Sequence, residues 1–234
     1  VSFPPESGAI MTRRNQLNFS GGPGVLPETV LLEAQQAMIE VPEVGLSVLG
    51  ISHRSDWFAN VLAELENNVR RLLGLSASYH VLFLQGGATQ QFSMLPMLLL
   101  RGSKQPADYV HTGYWSGKAL PPAHLEGPIR VVWSGEADGF RRLPGGEELP
   151  FSPEAPYIHY VSNETVEGLQ FQRVLGRDDV PRVCDMSSDF LSRPCEAERF
   201  SFIYAHAQKN IGPAGVTVVV MRDELLRDAP TKLP

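Results

Sequence analysis

From Leu17 onward the chain alternates between stretches whose apolar residues recur every three to four positions and short runs that are apolar throughout. Residues 27–40 show the first pattern. Val30, Leu31, Ala34, Ala37 and Met38 fall on one side of a helix, and Pro27 suits its opening turn because the N–H it lacks has no intrahelical partner there. Residues 56–73 carry a longer stripe of Phe58, Leu62, Leu65, Val69 and Leu72, with Asp56 complementing the positive end of the helix dipole and Gly74 supplying the stop. Seven short runs follow, at residues 80–84, 108–111, 130–133, 157–161, 182–184, 201–204 and 216–220. Most are rich in Val, Ile, Tyr and Phe and bounded by Gly, Pro, Asn or Ser, so each reads as a strand. A helical stretch at residues 89–100 lies between the first two, and the interleaving predicts an α/β fold with a mostly parallel sheet and helices on both faces.

Composition narrows the function without naming it. Acidic residues outnumber basic ones 26 to 20, giving a net charge of −6, and no run of Lys and Arg exceeds two residues, so a nucleic-acid groove is not expected. The two cysteines, Cys184 and Cys195, fit neither a disulfide framework nor metal-ligand spacing, which points to a reducing compartment and no metal site. The most apolar runs, at residues 94–100 and 216–221, are too short to span a bilayer. Residues 1–16 contain no signal-like apolar core; they read as a disordered N-terminal extension, with Met11 a candidate natural start. The 21 glycines and 19 prolines make up about 17% of the chain, above the usual level of about 12%, which calls for many tight turns.

In a mostly parallel sheet, ligands bind beyond the carboxyl ends of the strands, so the residues following each run are where chemistry belongs. After residues 80–84 comes Gln85-Gly86-Gly87-Ala88-Thr89, a glycine turn opening a helix, whose free N–H groups and dipole suit a phosphate; an ordinary tight turn explains it equally well. Trp115 follows the second run and could stack on a planar ring or simply pack. Ser162-Asn163-Glu164-Thr165 reads as a polar cluster that caps a helix and makes loop hydrogen bonds. Asp185 ends a buried strand, a costly place for a carboxylate unless a cation or strong donor meets it. Lys209 follows another strand among small residues, where desolvation would lower its pKa and favour Schiff-base chemistry; an exposed loop lysine is as good a reading of that segment alone. His53 and Arg54 sit just before the long helix and suit a carboxylate or phosphate, or equally cap their neighbours.

A phosphate-cradling turn, a stacking indole, and an aspartate and a lysine at strand ends are the parts a pyridoxal phosphate site needs. Six segments in order resemble the motif series of the phosphoserine aminotransferase family: Asn18-Phe19-Ser20-Gly21-Gly22-Pro23, Ile51-Ser52-His53-Arg54-Ser55, residues 84–92, Ser162-Asn163-Glu164-Thr165, residues 185–194 and residues 207–215. The resemblance runs from about Leu17 to the end of the chain. It implies residues 17–234 as the pyridoxal-phosphate-binding large domain of a fold-type I enzyme, with the family's smaller C-terminal domain absent from this chain. The segment 117–130, with Pro121, Pro122 and Pro128, looks less helical than the family pattern implies.

Carried over residue by residue, the resemblance makes Lys209 the covalent anchor of the cofactor and the proton shuttle, and Asp185 the partner of its pyridinium nitrogen. Trp115 is implied to stack on the ring, Ala88, Thr89 and Gln208 to hold the phosphate, and Thr165 to bond near the ring hydroxyl. His53 and Arg54 are implied to recognise the anionic groups of the substrates. The reaction implied moves the amino group of L-glutamate to 3-phosphohydroxypyruvate, giving O-phospho-L-serine and 2-oxoglutarate, a step of serine biosynthesis carried out by a cytoplasmic homodimer. Two other readings stay open. One is a catalytically impaired cofactor-binding or interaction module; the other is another class V aminotransferase, such as an alanine:glyoxylate type. A cysteine desulfurase is disfavoured, because neither Cys184 nor Cys195 is placed as a mobile nucleophile.

Overall fold

The structure, a computed structural model, describes residues 17–227. The expectation for residues 1–16 lies outside the described residues. The chain divides into two compact units, one running to Asn68 and the other starting at Val69.

In the first unit, helix α1 spans Glu28–Ile39, as the spacing predicts, yet buries none of its residues. Ser47 then organises the connection, since its hydroxyl donates to the carbonyl of Met38 at 2.7 Å and accepts the N–H of Leu49 at 3.3 Å. Helix α2 spans Asp56–Leu73 and starts where the Ser55 hydroxyl accepts the N–H of Phe58 at 3.2 Å, an N-cap. Gly74 ends it in the left-handed region, at φ +64°. The buried positions of α2 are Val69 and Leu73, one turn apart, while Leu72, counted in the expected stripe, is 62% exposed. The apolar face therefore ends one residue later than the spacing suggests.

The second unit is built on a seven-stranded sheet. Its strands are β1 (Tyr79–Leu84), β2 (Ala107–His111), β3 (Ile129–Ser134), β4 (Ile158–Val161), β7 (Arg182–Asp185), β8 (Phe202–His206) and β9 (Thr217–Arg222), in the spatial order β1-β9-β8-β7-β4-β2-β3. All seven expected strands are present. The run β8-β7-β4-β2-β3 is parallel throughout, and β9 lies antiparallel between β8 and β1. A separate antiparallel pair, β5 (Asn163–Glu164) and β6 (Leu169–Gln170), projects just beyond β4.

Side chains alternate across this sheet, and both faces are covered. On one face Val69 and Leu73 pack with Val110, Tyr160, Cys184, Phe200 and Ile203. On the other, Phe92 and Leu95 of α3 (Gly87–Leu99) and Ala119 and Ala123 of α4 (Tyr114–Glu126) pack over Tyr109, Val183, Tyr204 and Val219. This second face also buries polar groups in pairs. The Tyr109 and Tyr157 hydroxyls lie 2.6 Å apart, and the His159 Nε2 lies 2.8 Å from the Tyr204 hydroxyl. Full burial pushes His159 down to about 3, which keeps its imidazole neutral in the core.

Helix α4 corrects the expectation that residues 117–130 are less helical. It runs through Pro121 and Pro122 to Glu126. Each proline removes one N–H from the helical ladder, but Ser116, Ala119 and Ala123 are almost wholly buried along the inner side, and that packing holds the helix together.

Candidate active site

The parallel strands β2, β4, β7 and β8 all point the same way, so the residues that follow them emerge at one edge of the sheet. β1 runs in the same direction, being antiparallel to β9, which is itself antiparallel to β8. Five of the expected residues converge there. Ala88, Trp115, Asp185, Gln208 and Lys209 line one cleft, together with Asn163 and Ser187.

The glycine turn after β1 is obligatory at two positions. Gly86 and Gly87 have φ of +101° and +76°, and a Cβ on Gly86 would sit 1.6 Å from the Gln90 side-chain oxygen. Gly86 gives α3 no side-chain cap, so the first N–H groups of the helix stay available for an anion. Ala88 in that turn lines the cleft; Thr89, beside it, is exposed and does not.

Lys209 lies in the turn after β8. Its Nζ donates to the Thr165 hydroxyl, which places Thr165 at the site, and sits 4.8 Å from the centre of the Trp115 ring. Burial lowers its pKa, while the charges of Asp185 and Glu164 act in the opposite direction. A depressed lysine pKa raises the fraction of free amine near neutral pH, the form that attacks a carbonyl.

Asp185 is 3% exposed at the last position of β7, and its Oδ1 accepts the N–H of Ser187 at 2.8 Å. Burial raises its pKa to about 6, opposed by the Ser187 hydrogen bonds and by Lys209. A carboxyl held at that level gains most when a cation is brought to it. Two further groups at the cleft lack a partner among the described residues, the indole Nε1 of Trp115 and the side-chain oxygen of Gln208. Unpaired buried polar atoms are costly, and their position marks where a polar ligand fits.

Pyridoxal phosphate matches this donor set. An amine of lowered pKa faces an aromatic platform, a buried acidic group could pair with a ring nitrogen, and the uncapped helix N–H groups suit a phosphate. His53 and Arg54 belong to the first unit, where both are exposed in the turn before α2. Cys184 is buried within β7, and burial pushes its thiol pKa well up, so it is no nucleophile.

Residues 162–165 do cap a helix, as their polar pattern suggests, but the helix is α4, which precedes them in the chain. Glu164 is completely buried and accepts the N–H groups of Trp115 at 3.0 Å and Ser116 at 2.9 Å, and the Thr112 hydroxyl at 3.3 Å. Glu167 accepts the N–H of Tyr114 at 3.0 Å. The Ser116 hydroxyl folds back to accept the N–H groups of Thr112 and Gly113 at 2.8 and 3.0 Å. The signal was present as two acids three residues apart after β4, but nothing in the sequence ties them to a helix about 50 residues upstream. Gly113 leaves room for them: a Cβ there would lie 2.4 Å from a Glu167 carboxylate oxygen and 2.9 Å from the Glu164 carboxyl carbon. Gly113→Ala should therefore destabilise the chain by about 1–3 kcal/mol, in the range of other overpacked sites. Urea unfolding measures this, and an unchanged midpoint would show that the braces have slack.

Comparison with known proteins agrees with the geometry. Residues 16–233 match the family described as aminotransferase class-V. The chain is 51% identical over 209 residues to a phosphoserine aminotransferase of Laribacter hongkongensis, covering 89% of this chain and 58% of that protein. It is 48% identical over 220 residues to one from Nitrosomonas europaea, covering 91% and 60%. The solved phosphoserine aminotransferase of Bacillus circulans subsp. alkalophilus superposes with a TM-score of 0.88 at 44% identity, over 93% of this chain and 60% of that one. The enzyme of Trichomonas vaginalis, solved with pyridoxal phosphate bound, gives 0.85 at 34% identity, over 93% and 64%. The chain spans about 60% of the length of the curated relatives named here. Sheet topology, cleft and comparisons agree, and the chain belongs to the class V aminotransferase family.

Proposed function

We propose that this chain carries the pyridoxal phosphate site of a phosphoserine aminotransferase, which moves the amino group of L-glutamate to 3-phosphohydroxypyruvate and yields O-phospho-L-serine and 2-oxoglutarate. The observation that carries the reading is the convergence of Lys209, Asp185 and Trp115, from three different strand ends, on one cleft. The similarity to phosphoserine aminotransferases supports the substrate pair.

When bound, pyridoxal phosphate supplies an aldehyde carbon that accepts an amino group and a ring that takes up electrons from the substrate α-carbon. Lys209 would hold the cofactor through Nζ and, as a free amine, would move a proton at that same atom. Thr165 holds Nζ in place through its hydroxyl. Asp185 holds a proton on the ring nitrogen, and its burial strengthens that pairing. Trp115 fixes the ring plane, the first N–H groups of α3 with Gln208 bind the phosphate, and Ala88 leaves space for it. Thr89 contributes its backbone N–H. Arg54 and His53 recognise the carboxylate or phosphate of the substrates. We place the enzyme in the cytoplasm as a homodimer that acts on small molecules and not on nucleic acid or membrane. The acidic net charge speaks against a nucleic-acid groove, and among the described residues no helix is long and apolar enough to cross a membrane.

The test is the spectrum of the chain loaded with pyridoxal phosphate. O-phosphoserine and glutamate should each shift the bound cofactor from its visible band to the near-ultraviolet band of the aminated form, while alanine leaves it unchanged. A response to alanine but not to O-phosphoserine would overturn the substrate assignment.

A further inference from the structure

We propose that Glu164 is a positioning residue of the cofactor site: its buried carboxylate fixes Trp115 over the ring position and places the adjacent Thr165 against Lys209. This rests on the pyridoxal phosphate reading above and deepens it.

Three observations carry it. First, the acceptor capacity of Glu164 is spent on the start of α4. Both oxygens are engaged, one by the N–H of Trp115 and the other by the N–H of Ser116 and the Thr112 hydroxyl. A carboxylate on the unpaired donors of a helix N-terminus is favourable for dipole and hydrogen-bond reasons together, and complete burial removes the water that would otherwise screen it. The indole platform is therefore held at its own backbone by a residue from another element.

Second, Glu164 is held in place. It lies in β5, paired in register with Leu169 of β6, and the preceding Asn163 is tied across to β7's extension through Ser188, by an amide donation at 2.9 Å and a hydroxyl donation at 2.7 Å. Third, the residue after it is Thr165, the partner of Lys209. One dipeptide thus positions both the ring platform and the amine. The charges of Glu164 and Asp185 both favour the protonated form of Lys209, against its burial.

The expected behaviour separates charge from shape. Glu164→Gln keeps the size of the side chain but loses the charge; Glu164→Asp keeps the charge but withdraws it from α4 by one methylene. With the full chain, pyridoxal phosphate affinity is read from quenching of tryptophan fluorescence, and the protonation midpoint from the pH dependence of the visible band. Glu164→Gln should weaken cofactor binding ~10- to 100-fold, the range expected for losing hydrogen bonds to a charged acceptor. It should also move the visible-band midpoint to lower pH, because removing a negative charge disfavours the protonated nitrogen. Glu164→Asp should weaken binding while leaving the midpoint near that of the wild type. A purely space-filling role would be rescued by Gln, so wild-type affinity and midpoint in Glu164→Gln would overturn the proposal. If that variant does not fold, Glu164→Asp decides: wild-type affinity there overturns the proposal, and weakened affinity with a wild-type midpoint supports it. Failure of the wild-type chain itself to bind pyridoxal phosphate would instead refute the cofactor reading on which the proposal rests.

Discussion

Lys209→Ala should abolish the visible absorbance that the chain acquires with pyridoxal phosphate and lower transamination by ~10⁴-fold or more, as loss of a covalent catalyst does elsewhere. The side chain joins three contacts that no neighbour duplicates: the hydroxyl of Thr165, the face of Trp115 and the field of Asp185. Its removal also deletes a cation whose charged form Asp185 and Glu164 favour. Lys209→Arg separates these roles, since a guanidinium keeps the charge and contact with the indole but cannot condense with an aldehyde. Both variants should lack the absorbance, and Lys209→Arg should be the more stable to urea above pH 6. A visible band surviving in Lys209→Ala would reassign the anchor.

Asp185→Asn should have two effects of opposite sign. The native carboxyl ionises at about 6, whereas in an unfolded chain it would ionise near the ordinary aspartate value of 3.8. Between those values the folded state keeps a proton that the unfolded state has lost, so folding stability falls as pH rises from about 4 and levels off above 6. The cost on that plateau is about 3 kcal/mol at 1.36 kcal/mol per unit. Asn carries no such cost. The cofactor-free variant should therefore be more stable than the wild type above pH 6, with the difference closing near pH 4. With pyridoxal phosphate the order reverses, because the ring nitrogen loses its buried counter-charge; affinity should fall ~100-fold or more, in line with truncation of other buried charge pairs. Urea titrations at pH 4, 6 and 8, with and without cofactor, read both effects. Equal stability at all three pH values would mean that folding does not raise the pKa of Asp185, and unchanged affinity would remove it from the site.

The sheet was legible because its strands are short, β-branched and bounded by turn residues, and each expected strand lies within a residue or two of its observed position. What periodicity could not show was packing partners. α1 has a helical stripe, yet it buries nothing in this chain, and α4 persists through two adjacent prolines because Ala119 and Ala123 pack beneath it. In the site, the residues at strand ends were visible because a charge or an indole at that place is chemically conspicuous. Glu164 lies in a segment that reads as a helix cap, but which helix it caps was not visible. Its role depends on a contact across 49 residues of chain, a distance that no local pattern encodes.

The place of β9 in the sheet bears on how the protein is made. β1 touches no other strand of the sheet than β9, and its first residue, Tyr79, pairs with Arg222, a partner 143 residues later. The parallel core from β2 to β8 can assemble as it leaves the ribosome, but β1 has no edge to join until β9 has been synthesised and inserted. The Gly86–Gly87 turn follows β1, so this end of the cleft depends on β9 being in the sheet. Gain of cofactor affinity during refolding should then lag behind burial of the core and report the closing of the sheet.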